Sequence, residues 1–99
     1  MPAYVFVNVK ITDPARYPSY IQVAPDSIHQ YGGRYLARGG ATVRLEGEWE
    51  PQRVVVLEFE SLERAKEWWA SEEYREPKAL RNATAITQMI AVEGLPTPF

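Results

Sequence analysis

The sequence predicts an α+β protein of ferredoxin-like type, with element order βαββαβ, a four-stranded antiparallel sheet and two helices on one of its faces. Three observations predict it. Residues 3–11 set an aliphatic row against one that begins aromatic and turns polar, residues 85–92 read as a further extended segment, and residues 53–59 form a nearly unbroken apolar run. Two stretches of helical periodicity open on the cap residues Asp13 and Ser61. Glycine pairs at Gly32-Gly33 and Gly39-Gly40 enclose a further extended segment. There a helix stops and a strand begins.

In the first strand, Ala3 to Ile11, Val5, Val7, Val9 and Ile11 share one side and Tyr4, Phe6, Asn8 and Lys10 the other. Asp13-Pro14 reads as an N-cap followed by the first helical position. Tyr17, Ile21, Ala24, Ile28 and Tyr31 then recur as one helical face. Pro25 is expected to kink or restart this helix. Arg34 to Gly39 forms the second strand, with the second glycine pair as a break or bulge. Thr42 to Glu46 resumes the alternation, Val43 and Leu45 opposing Thr42, Arg44 and Glu46. Gly47 to Gln52 is a loop. Arg53 to Phe59 is apolar on both parities except at Glu58, the pattern of a strand buried on both faces. Ser61 caps the next helix, with Leu62, Ala65 and Trp69 inward. Ser71 opens a short further turn that Pro77 interrupts or restarts. Ala85 to Val92 is the last strand. Residues 1–94 read as one domain and 95–99 as a C-terminal tail.

Right-handed crossovers place both helices on the same side of the sheet, so the other side is bare. It carries Tyr4, Phe6 and one parity of the third strand. At about 25 cal/mol per Å² of apolar surface, leaving it wet forfeits several kcal/mol. Such patches mark interfaces, and the economical cover is the same face of a second copy about a two-fold axis. The expected assembly is therefore a homodimer through the helix-free sheet face, a dimeric α/β barrel with an interior.

Composition narrows the function classes. The net charge of −2 offers no field to collect nucleic acid. With no Cys and one His, disulfides and a dedicated transition-metal site are not expected, and no cofactor motif is present. Nothing reads as a secretion signal, and no apolar stretch reaches bilayer length, so neither export nor a membrane partner is expected and the location is taken as cytoplasmic.

The candidate chemistry centres on Glu58. A carboxylate inside an apolar strand is costly unless paired or protonated. It is either a general base or acid or a ligand anchor in the interior, or one half of a structural ion pair with Arg38 or Lys10. Arg38, between glycines, either clamps an anionic small molecule in two-pronged fashion or is a solvated edge-strand arginine. Asn8 and Lys10 project inward with Arg38 and Glu58 if the registers agree. His29 sits beside Ile28 on the outer helix, away from the bare face, and is read as solvated.

The run Gly-Gly-Arg-Tyr-Leu-Ala-Arg-Gly-Gly at 32–40 resembles the signature of the DUF1330 family of small bacterial proteins. So do Trp49-Glu50-Pro51-Gln52-Arg53 leading into Val55, Leu57, Glu58 and Phe59; Ser61, Ala65 and Trp68-Trp69; Ser71, Tyr74 and Arg81; and Val92-Glu93-Gly94. Pro77 departs from the pattern, where a helix-compatible residue is expected. The resemblance spans the chain and implies the dimeric α/β-barrel superfamily, which also holds cofactor-free monooxygenases, muconolactone isomerase and haem-degrading enzymes. It further implies that Tyr74 and Arg81 close the mouth of a pocket. A haem site is not expected, because no His follows Trp68 to serve as axial ligand.

Three readings follow. The first is a homodimeric small-molecule-binding domain for an anionic or polar-aromatic compound, with Asn8, Lys10, Arg38, Glu58, Tyr74 and Arg81 as substrate-binding candidates. The second is a cofactor-free isomerase or monooxygenase with Glu58 as general base. The third is a structural or regulatory interaction module with no pocket.

Overall fold

Alternation in the first strand decides the layering. The computed structural model describes residues 1–96, and in β1 (Ala3–Ile11) Val5, Val7 and Val9 are buried while Phe6 between them is exposed. The sheet is completed by β2 (Arg34–Arg38), β3 (Arg53–Phe59) and β4 (Ala85–Glu93), in the order β2-β3-β1-β4 with antiparallel neighbours throughout. Val55, Leu57 and Phe59 of β3 join the buried valines of β1 in one core. The helices α1 (Tyr17–Gln30), α2 (Leu62–Trp69) and α3 (Glu72–Thr84) close that core with Tyr17, Ala24, Ile28, Ala65, Trp68 and Tyr74. Phe59, Trp68 and Tyr74 stack through it, with centroid separations of 5.3 and 4.3 Å.

Three helices, not two, cover this face. The short turn expected after Ser71 is a full helix that runs through Pro77. The Ser71 hydroxyl accepts the Tyr74 amide at 3.1 Å and so caps it. Pro77 removes one intrahelical bond, and the buried side chains of Tyr74, Pro77, Arg81 and Thr84 hold the helix across the gap. Pro25 likewise lies inside α1 without restarting it. The helix begins at Tyr17 rather than at Pro14. Asp13 instead caps a preceding turn, its carboxylate accepting the Arg16 amide at 3.2 Å, and Pro18 occupies the opening turn of the helix.

Three further expectations change. In α2 it is Trp68, 1% exposed, that enters the core, while Trp69 is 48% exposed. Thr42–Glu46 forms no strand, because no neighbouring strand pairs with it. β3 is buried on one face only: Val54, Val56 and Glu58 are half-buried on the side without helices. Of the tail expected over 95–99, residues 97–99 lie outside the described residues. Among the described residues no helix is long and apolar enough to cross a membrane.

The glycine pair does stop α1. The Gly32 amide donates to His29 at 3.0 Å and the Gly33 amide to Ile28 at 2.9 Å, with Gly32 at φ +77°. Gly33 also permits close packing: a Cβ there would meet the Phe59 ring at 2.6 Å and Ile28 at 2.8 Å. Gly33→Ala is expected to destabilise the fold by about 1–3 kcal/mol through overpacking. Gly40→Ala, with open space around it, should stay within about 0.5 kcal/mol of the parent. Urea unfolding of the two variants measures the contrast.

Candidate functional site

A single irregularity sorts the candidate residues onto two faces. Arg34 and Arg38 are four residues apart and would share a side of a regular strand. The register between β2 and β3 slips between Tyr35 and Ala37, leaving Leu36 as an extra residue. Arg34 therefore stands opposite Glu58 on the helix-free face, while Arg38 stands opposite Val55 and turns towards the helices.

On the helix-free face the Arg34 Nε donates to Glu58 at 2.6 Å. Glu58 is thus ion-paired, with Arg34 rather than with Arg38 or Lys10. Asn8 is occupied too: its amide donates to the Gln52 side chain at 2.8 Å, and its oxygen accepts the Gln52 backbone amide at 3.0 Å. It pins the start of β3 to β1. Lys10 is exposed at the end of the same row, opposite Ile86. Arg38 and Glu58 do not meet.

The other three candidates, Arg38, Tyr74 and Arg81, lie between sheet and helices. Arg38, Arg53 and Arg81 line one cavity there together with Tyr17, Tyr20 and Tyr35. Its enclosed volume is about 30 Å³, and no Asp or Glu lines it. A volume of this size holds about one water. A wider groove of about 520 Å³ adjoins it between α2 and β4, sharing Trp68, Arg81 and Met89 and adding Trp69 and Thr87.

Arg81 is the hinge of this arrangement. It is 6% exposed and reaches the site from the end of α3. Its guanidinium donates to the Tyr74 hydroxyl at 2.8 Å and to Asn82 at 3.2 Å, and the Tyr74 and Tyr20 hydroxyls lie 2.6 Å apart. Arg38 lies over the Tyr35 ring at 4.7 Å and Arg53 faces Tyr17 at 5.9 Å. Gly39, at φ +66°, makes room for the Arg53 guanidinium, which any Cβ there would strike.

The electrostatics are one-sided. Arg16, Arg34, Arg44, Arg64 and Arg75 each pair with a carboxylate. Among the described residues the arginines outside those pairs are Arg38, Arg53 and Arg81, all three of which line the cavity. Among the described residues, the buried side-chain polar atoms without a protein partner are Arg53 Nε, Arg81 Nε and Thr87 Oγ1, which also belong to residues of the cavity and groove. Arg81 is buried and Arg53 half-buried, whereas Arg38, on the edge strand β2, is exposed, so the penalty of several kcal/mol for a charge taken from water without a counter-charge falls on Arg81 and in part on Arg53. Burial pushes the Tyr20 phenol far above its ordinary range, with Tyr74 adding to the rise. Burial also raises Tyr74, against the pull of Arg81, and raises Tyr35. The phenols thus stay neutral, and the positive charge goes unanswered. Among the described residues no three His, Asp or Glu side chains gather as a metal site would require.

Sequence reasoning missed Arg53, Tyr20 and Thr87. For each of them the signal was present. Arg53 has the parity of Val55, Leu57 and Phe59, and Thr87 that of Ala85 and Met89, so each sits in a row that faces the helices. Tyr20, three residues after Tyr17 and four before Ala24, lies on the flank of the same helical face, and there it meets Tyr74 of α3.

Known structures share this architecture. A protein of unknown function from Rhodopseudomonas palustris superposes with a TM-score of 0.76 at 19% identity, covering 97% of this chain and 84% of that one. SnoaB, a cofactor-independent oxygenase from Streptomyces nogalater, gives a TM-score of 0.69 at 10% identity, covering 97% and 95%. A hypothetical Arabidopsis thaliana protein gives 0.66 at 14% identity, covering 99% and 92%. At these identities the likeness concerns the fold alone. No curated protein matches the chain. The profile of one family does match, over residues 2–95, and by it the chain belongs to the DUF1330 family, a domain of unknown function.

Proposed function

We propose that the protein is a homodimeric small-molecule-binding domain whose ligand is an organic anion held between sheet and helices. The observation that carries this reading is the set of three arginines without carboxylate partners around one cavity that has no acidic side chain. An anion there supplies the missing counter-charge and takes hydrogen bonds from Arg53 Nε and Arg81 Nε. The enclosed part is too small for an organic molecule, but the adjoining groove of about 520 Å³ has the size of ordinary ligand sites. The ligand then lies in the groove with its charged end at Arg81, and it reaches Arg38 and Arg53 when side chains at the shared wall move.

The homodimer is supported by the exposed apolar residues of the helix-free face, Phe6, Ile86, Ile90 and Val92. A second reading, a cofactor-free isomerase or monooxygenase, is favoured by the Arg81–Tyr74–Tyr20 chain, which offers hydrogen-bond donors to a charge that develops during a reaction. Glu58 serves as base in it only for chemistry on the helix-free face, since it lies with Arg34 there.

Titration with benzoate and with its neutral counterpart benzamide tests the first reading. Calorimetry should give at least tenfold tighter binding of benzoate, lost in Arg53→Gln and Arg81→Gln and kept in Glu58→Gln. Equal binding of the two probes, or of the variants, contradicts it.

The buried phenols also set an alkaline limit. From the ordinary phenol value of 10.0 upward the unfolded chain sheds the Tyr20 proton and the folded chain keeps it. Unfolding then releases a proton, so stability is level near neutrality and falls as pH rises above about 10. Tyr20→Phe should flatten that fall, as measured by urea midpoints between about pH 8 and 11.

A further inference from the structure

The connection from β2 to β3, residues 39–52, is a long segment without regular structure inside a small domain. Such segments are uncommon unless they have work to do. This one is fastened at both ends. The Gly39 amide donates to Val54 at 2.8 Å, and Asn8 holds Gln52 by two hydrogen bonds. Between the ends, Arg44 and Glu50 pair across the segment at 3.0 Å, and the chain bends over Glu46–Glu48. It is a closed arm, yet its apolar residues pack on almost nothing: Val43 is 78% exposed and Leu45 91%.

The arm stands off from its own sheet. Val43, Leu45 and Trp49 form one wall of an open cleft of about 910 Å³, and Phe6, Val54 and Val56 of the helix-free face form the other. The Cα trace measures 42 × 38 × 16 Å, a plate rather than a ball. Its radius of gyration is 13.8 Å, where about 12.6 Å is typical of this length. Thr42–Glu46 alternates as a strand does, but among the described residues no strand pairs with it. At the far side of the sheet, β4 is an edge strand with Ile86, Ile90 and Val92 exposed.

We infer that the arm, Gly40–Pro51, clasps a second copy of this chain, with Val43 and Leu45 packing on the helix-free face of the partner near β4. The inference rests on the homodimer proposed above and says which segment holds it together. Each copy gives one arm and receives one, as a two-fold axis requires. Charge fits the same occupant. On the arm, Glu46 and Glu48 are outside the ion pairs found among the described residues, and so is Lys10 on the face that would receive them. Asn8 becomes a positioning residue for assembly, because its two hydrogen bonds fix where the arm leaves the sheet.

Sedimentation velocity and cross-linking test this together. The wild type is expected to sediment as a dimer. A Val43→Asp, Leu45→Asp double variant should keep its far-UV spectrum and dissociate at least tenfold more readily. Phe6→Asp, on the sheet itself, should also weaken the dimer. In the second arm, Leu45→p-benzoylphenylalanine is mixed with ¹⁵N-labelled wild type and irradiated. A cross-link from the light chain to a heavy peptide of β1 or β4 supports the clasp. A dimer that the double variant leaves intact, or cross-links confined to the light chain, overturns the clasp while the homodimer stands. A wild type that stays monomeric at high concentration overturns both.

Discussion

One layer of helices can bury only one parity of a four-stranded sheet, and the rest of the molecule follows from that. The valines of β1 and the odd-numbered positions of β3 turn towards α1, α2 and α3 and make the core. The opposite rows are left with Phe6, Ile86, Ile90 and Val92 in solvent. The space between the layers is where burial, and so a low dielectric, is available. The three arginines outside carboxylate pairs line that space, and five others pair with carboxylates. Of the three, Arg81 is buried, Arg53 half-buried and Arg38 exposed, so the penalty of an uncompensated charge rests chiefly on Arg81, where an anion would offset it.

The two faces therefore divide the labour. On the helix side, Arg81 joins the enclosed cavity to the wider groove and is braced by Tyr74, which in turn meets Tyr20. On the bare side Glu58 is committed to Arg34 and Asn8 to Gln52, and Lys10 lies outside the ion pairs found among the described residues. What remains there is apolar surface and the arm that carries Val43 and Leu45. That combination suits association, whereas the helix side suits recognition of a small molecule.

Much of the fold was legible in the sequence because alternation and cap residues act locally. Four strands, the helix stop at Gly32-Gly33 and the Ser61 and Ser71 caps are read from a few residues each. The errors share a different cause. The extent of α3 through Pro77 depends on Tyr74 and Arg81 being buried, which is tertiary information. The pattern in Thr42–Glu46 says that a segment can be a strand and not which edge it would join. Most telling is Leu36: one inserted residue in β2 sends Arg34 and Arg38 to opposite faces, so the registers that would bring Arg38 to Glu58 do not agree, and parity counted from the sequence does not fix them. Of the candidates, Arg38, Tyr74 and Arg81 lie on the helix side, with Arg53 and Tyr20 beside them.

The most direct measurement is a crystal structure of the protein as purified, at low ionic strength. The account predicts an anionic group within hydrogen-bond distance of Arg81 and Arg53, in a space that no carboxylate of the protein enters. A carboxylate from a second copy, or from the chain's own C-terminus, bound to those arginines would contradict it.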